Sequence, residues 1–65
     1  MKSFGESLKK SRESKGLTQR YIAKKLYVDP SLVCRWEKGQ RQIMPDEMIA
    51  ISEILEMSLD EFKNM

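Results

Sequence analysis

The sequence predicts an all-α chain, a compact five-helix domain, and three observations carry that reading. Apolar and small residues at Ile22, Ala23, Leu26, Val28, Val33 and Trp36 keep a helical spacing that breaks once, at residues 27–29, and then resumes. Residues that favour helix caps stand ahead of the apolar periods at Thr18, Asp29 and Ser58. Nowhere does the chain alternate apolar and polar residues as a half-buried strand would. Sixty-five residues make a single domain, 1–65, close to the smallest size that folds without disulfides or metal.

Phe4 and Leu8, four residues apart, predict a first helix over about residues 3–15, stopped by Gly16. Its apolar stripe is thin. Ser11 stands where a third core residue would continue it, so this helix leans on the others. Lys9, Lys10 and Lys15 load its second half with charge that suits the negative end of the helix dipole. Leu17 precedes Thr18, whose hydroxyl is placed to accept from the amide of Arg20 or Tyr21 and so cap a second helix ending near Leu26. Tyr27 and Val28 form the turn. Asp29 then caps a third helix with Pro30 in its first turn, where a missing N–H costs nothing, and Gly39 ends it. Residues 40–44 connect to a fourth helix opened by Pro45 and running to about Glu56, with Met48, Ile51, Ser52 and Leu55 inward. Ser58-Leu-Asp-Glu61 has the form of a capping box and starts a short fifth helix with Leu59 and Phe62 inward.

Composition excludes several functions. One cysteine permits no internal disulfide, and the absence of histidine removes the usual zinc patterns and histidine acid–base chemistry. No carboxylate pair or glycine-rich phosphate loop is recognisable, and the lone Cys34 thiol has no histidine to activate it, so no enzyme is expected. No cofactor or metal is implied. No run is long enough to span a membrane and the first residues lack the apolar core of a signal peptide, which points to the cytoplasm. The net charge is only +2, but residues 1–41 carry +7 and residues 42–65 carry −5. One end of the chain thus suits a polyanion, and the other does not.

Residues 18–39 have the spacing of a helix-turn-helix, a unit whose second helix enters the DNA major groove. In fuller detail the chain resembles the lambda-repressor-like, or Cro/cI-type (XRE-like), helix-turn-helix family. Phe4-Gly-Glu resembles the start of that family's first helix and Lys15-Gly-Leu-Thr-Gln19 the approach to its second. Ile22-Ala-Lys-Lys-Leu26 resembles the second helix itself, Val33-Cys-Arg-Trp-Glu-Lys-Gly39 the recognition helix, and Met57-Ser-Leu-Asp-Glu-Phe62 the closing segment. The resemblance therefore covers nearly the whole chain.

That resemblance implies a regulator, most simply a repressor, bound to double-stranded DNA as a homodimer on a palindromic operator. It implies phosphate contacts from Thr18 and Gln19 at the start of the second helix, where the amides reinforce them, and from Lys38 and Arg41 beyond the third. Asp29, Pro30, Ser31, Cys34, Arg35 and Lys38 would face the groove while Val33 and Trp36 face the core. Among them Arg35 is the first candidate for reading a base, since its planar fork matches guanine O6 and N7; Ser31 is the second, with Pro30 and Cys34 beside them. Modification of a groove-facing Cys34 thiol would disturb docking, but exposure alone does not make a thiol reactive. Trp36 is expected in the core. Arg12 and Glu37 resemble the family's ion pair between first and third helices, a structural role.

Four features depart from the family. Tyr27 stands where glycine is preferred, which requires either another turn geometry or a strained tyrosine at positive φ. Pro30 replaces a polar side chain, and Asp29 puts a negative charge near phosphate, although capping accounts for it. The connector at Ile43-Met-Pro45 is also unusual. Ile43, Met44, Ile49, Ile54 and Met57 are numerous enough either to complete a small core or to form a dimer surface. The alternative function is a protein-interaction module that keeps the fold and binds through the acidic, apolar last two helices; the basic first part argues against it.

Overall fold

Three of the helices begin where a side-chain oxygen takes up an amide that the first turn leaves without a partner. The structure, a computed structural model, describes residues 4–63 as five helices: α1 Phe4–Ser14, α2 Gln19–Leu26, α3 Pro30–Glu37, α4 Pro45–Ile54 and α5 Leu59–Lys63. Thr18 Oγ1 accepts from the Tyr21 amide at 3.0 Å to start α2. Asp29 Oδ1 accepts from the Ser31 amide at 2.8 Å to start α3, and Ser58 Oγ accepts from that of Glu61 at 3.1 Å to start α5. Met44 has no oxygen with which to cap α4. There only the return half of a capping box forms, the Met44 amide donating to Glu47 Oε1 at 2.8 Å.

The helix ends differ from expectation at three places. The first helix stops at Ser14, one residue early, with Gly16 at φ +68 beyond it; the expected start at Ser3 lies outside the described residues. The third ends at Glu37, with Lys38 as its cap and Gly39 at φ +75. The fourth ends at Ile54, two residues short of Glu56, because Glu56 turns left-handed at φ +55 and the Met57 amide returns to the Ser52 carbonyl at 2.9 Å.

Tyr27 adopts the strained solution. Its φ is +59, and the Val28 amide reaches back to the Ala23 carbonyl at 3.0 Å. A side chain in this region costs about 1–2 kcal/mol relative to glycine, and the ring, 96% exposed, recovers almost none of that by burial. The geometry of the turn thus prevails over the preference of the residue in it.

Leu8, Ile22, Ala23, Val33, Trp36, Ile43, Ile51, Leu55 and Phe62 form one buried core to which all five helices and the connector contribute. Ile43 therefore belongs to the core and is withdrawn from any dimer surface; Ile54 and Met57 pack partly against the same core. Phe4 stacks on Phe62, ring centroids 6.0 Å apart, and ties the first helix to the last. The thin stripe of α1 works by closeness instead of bulk. Gly5, Ser7 and Ser11 are buried on it, and a Cβ at Gly5 would lie only 1.9 Å from the Trp36 carbonyl oxygen. Trp36 is sealed on all sides, its indole N–H without a partner among the described residues.

Candidate nucleic-acid interface

The eight residues of α3 and its cap Lys38 divide into two faces. Val33, Trp36 and Glu37 are buried, and Leu32 and Cys34 are half-buried. Pro30, Ser31, Arg35 and Lys38 are exposed; residues 31, 35 and 38 follow one another at helical intervals of four and three and so form a continuous outer stripe. Cys34 lies at its edge, a free thiol less accessible than the rest. Beyond Gly39 the chain folds back on this helix, since the amides of Gln40 and Arg41 both donate to the Arg35 carbonyl, at 2.9 and 3.3 Å. The exposed Arg41 thereby starts from a backbone tied to the helix that carries Arg35.

At the start of the stripe Asp29 is exposed and engaged in its cap. Its carboxyl lies below the ordinary aspartate value of 3.8, chiefly because it accepts from the Ser31 amide and then from the Ser31 side chain, with a smaller contribution from the positive field of Arg35. Capping occupies this carboxylate, as its sequence position suggested. The cation of Arg35 is close enough to be felt there.

At the other end of α3 the Glu37 carboxylate, its side chain only 2% exposed, is held from two other helices. Arg12 Nε donates to Oε2 at 2.7 Å and Arg12 Nη2 to Oε1 at 3.1 Å, a two-pronged ion pair of the kind the resemblance implies. Arg12 Nη1 also donates to the Leu17 carbonyl at 2.8 Å, which fixes the loop ahead of α2. The hydrogen bond to Glu37 is the main reason that the guanidinium holds its proton more tightly than usual. Truncating one partner of a pair this buried costs about 3–5 kcal/mol, because the other charge stays behind unpaired.

Gln19 takes part in the same arrangement. Its Nε2 donates to Glu37 Oε1 at 2.9 Å, so the half-buried side chain does not swing freely at the surface. Nothing in the sequence spacing announces this bond, which joins residues eighteen apart through the crossing of α2 and α3. The structure thus brings Arg12, Gln19 and Glu37 together, and leaves Thr18, Lys38 and Arg41 exposed at the ends of the two helices. Gly5 is a further residue on which the placement of α3 depends. The only sequence signal for it is a glycine inside a predicted helix, where alanine would be the better helix former.

Residues 8–62 match a family model described as helix-turn-helix. Among curated proteins, the chain is 33% identical to the HTH-type transcriptional activator BcrR of Enterococcus faecalis, over 58 residues covering 89% of this chain and 28% of that protein. It is 42% identical to the uncharacterized HTH-type transcriptional regulator YqaE of Bacillus subtilis strain 168, over 57 residues covering 88% of this chain and 49% of the other. It therefore spans half or less of the length of these two relatives. Among solved structures it superposes on the restriction-modification controller protein C.AhdI from Aeromonas hydrophila with a TM-score of 0.83 at 30% identity, covering 91% of this chain and 89% of that one. The P22 c2 repressor protein, crystallised with a synthetic operator, shares the fold at a TM-score of 0.82 and 21% identity, with 95% and 94% covered.

Proposed function

Since the chain belongs to the helix-turn-helix family, in its lambda-repressor-like branch, we propose that it is a sequence-specific double-stranded-DNA-binding regulator of transcription that represses by occupying its operator. The observation that carries this reading is the division of α3: an outer stripe of Ser31, Arg35 and Lys38 on a helix locked from behind by Val33, Trp36 and Glu37. A rigid helix with a polar, cationic outer stripe suits the major groove, where Arg35 would bond a guanine and Ser31 a neighbouring base edge. Pro30 and Cys34 would add apolar contact at the same groove wall. Phosphates would be held by Gln19, Lys38, Arg41 and Thr18, whose hydroxyl hydrogen is free to donate while its oxygen caps α2. The surplus of positive charge in residues 1–41 supports this orientation.

One domain of this size covers a half-site, so we propose two copies about one helical turn apart on a palindromic operator. With Ile43 in the core, the apolar residues left for contact between copies are Met44 and Ile49, each about half exposed. Selection from a random duplex library at about 150 mM salt tests the reading. An enriched inverted repeat with half-sites roughly 10 base pairs apart, bound about 10³-fold or more above scrambled DNA, is expected. Weak, salt-sensitive binding with no enriched motif would contradict it and favour a protein partner.

A further inference from the structure

The Glu37 carboxylate fixes more than the ion pair. Both of its oxygens accept from Arg12, and a carboxylate paired in this way offers only acceptors, so the end of the Gln19 amide that meets Oε1 at 2.9 Å is the NH2 and not the oxygen. Flipping the amide would set its oxygen against a buried carboxylate. The NH2 carries two hydrogens, and one is used on Glu37; the other keeps a fixed direction from a side chain that is still partly exposed at the first residue of α2.

We infer that Glu37 is a positioning residue for DNA binding: it presets the Gln19 amide so that its remaining N–H meets a backbone phosphate, and it ties that contact to the helix carrying Arg35. The inference rests on the reading of Gln19 as a phosphate contact. The ordering of the Gln19 side chain, which association would otherwise have to supply, is completed on folding. Arg12 holds the other side of the carboxylate, so Glu37 cannot turn toward solvent and release Gln19.

Charge and positioning predict opposite signs for one substitution. Glu37→Gln removes a negative charge near the proposed phosphate site and frees the positive charge of Arg12, which by charge alone tightens binding to DNA. It also replaces one of the two acceptor oxygens by an NH2 donor, so that Arg12 loses an acceptor and the Gln19 amide can face residue 37 with its oxygen as readily as with its NH2; the preset orientation is lost and binding weakens.

The test measures affinity for one fixed duplex two helical turns long, at about 50 mM salt, for the parent, Gln19→Ala, Glu37→Gln and the double variant, each first shown to be folded by denaturation. Gln19→Ala is expected to bind roughly tenfold more weakly with its salt slope unchanged, since a neutral amide displaces no counterion. Glu37→Gln is expected to weaken binding in the parent and to add no further weakening to Gln19→Ala. Tighter binding by Glu37→Gln, or equal weakening in both backgrounds, would overturn the inference. If Gln19→Ala alone loses nothing, the phosphate reading itself fails, and the positioning role falls with it. Should Glu37→Gln not fold, side-chain amide exchange in the parent decides: one slowed Gln19 hydrogen supports the inference, and two exchanging at the rate of a free amide overturn it.

Discussion

Gly5 and Tyr27 are two residues whose substitution reverses ordinary intuition. Alanine is the better helix former, yet at Gly5 its methyl would meet the Trp36 carbonyl oxygen at 1.9 Å, where backbone must move. Gly5→Ala is expected to destabilise the fold by about 1–3 kcal/mol in urea unfolding. Tyr27→Gly removes a large aromatic side chain and should still stabilise by up to about 1 kcal/mol, as relief of the left-handed φ outweighs the added freedom of the unfolded chain. A loss for Tyr27→Gly in the same experiment would show that the exposed ring contributes contacts that outweigh its strain. Legibility at this scale follows spacing. Trp36 could be assigned to the core from the helical period, and the Arg12–Glu37 pair could be anticipated because the family resemblance supplied both partners. The bond from Gln19 to Glu37 could not, since it depends on how closely two helices cross, and neither could the contact at Gly5.

Among the helices, starts were more legible than ends. Thr18, Asp29 and Ser58 cap where the sequence puts them because capping is decided within three residues of chain. The end of α4 falls short of the expected Glu56 because a glutamate carries no sign that it will turn left-handed; the packing of Leu55 and Met57 on the core imposes that turn. The cap of α3 also has a pH signature. Because hydrogen bonding holds Asp29 below its ordinary value of 3.8 in the folded chain, its contribution to stability is complete above that value and is lost as pH falls through the lower, folded one. Asparagine at this position also caps but does not titrate. The thermal midpoint of the parent relative to Asp29→Asn should therefore be constant near neutral pH and fall below about pH 4. A difference that stays flat into acid would mean that the carboxylate has no preferred bond in the folded state.

For the whole molecule, the sequence predicted the five helices and their common core, and the family assignment holds in the match over residues 8–62. What it left open was which apolar residues are spare. Ile43, Met44, Ile49, Ile54 and Met57 are indistinguishable by composition, and only the packing separates the buried Ile43 from the half-exposed Met44 and Ile49. The charge division is legible directly, and it bears on mechanism because cations set the salt dependence of DNA binding while base contacts set its specificity. In the proposed reading the stripe on α3 divides these tasks, Arg35 reading a base and Lys38 holding phosphate. The most direct measurement is the affinity of Arg35→Ala, beside Lys38→Ala, for the selected duplex and for its scrambled counterpart across a salt series. Arg35→Ala should lose about 1–3 kcal/mol on the selected duplex and little on scrambled DNA, whereas Lys38→Ala should weaken both and lower the salt slope by about one. Equal losses for Arg35→Ala on the two duplexes would contradict the claim that this helix reads sequence.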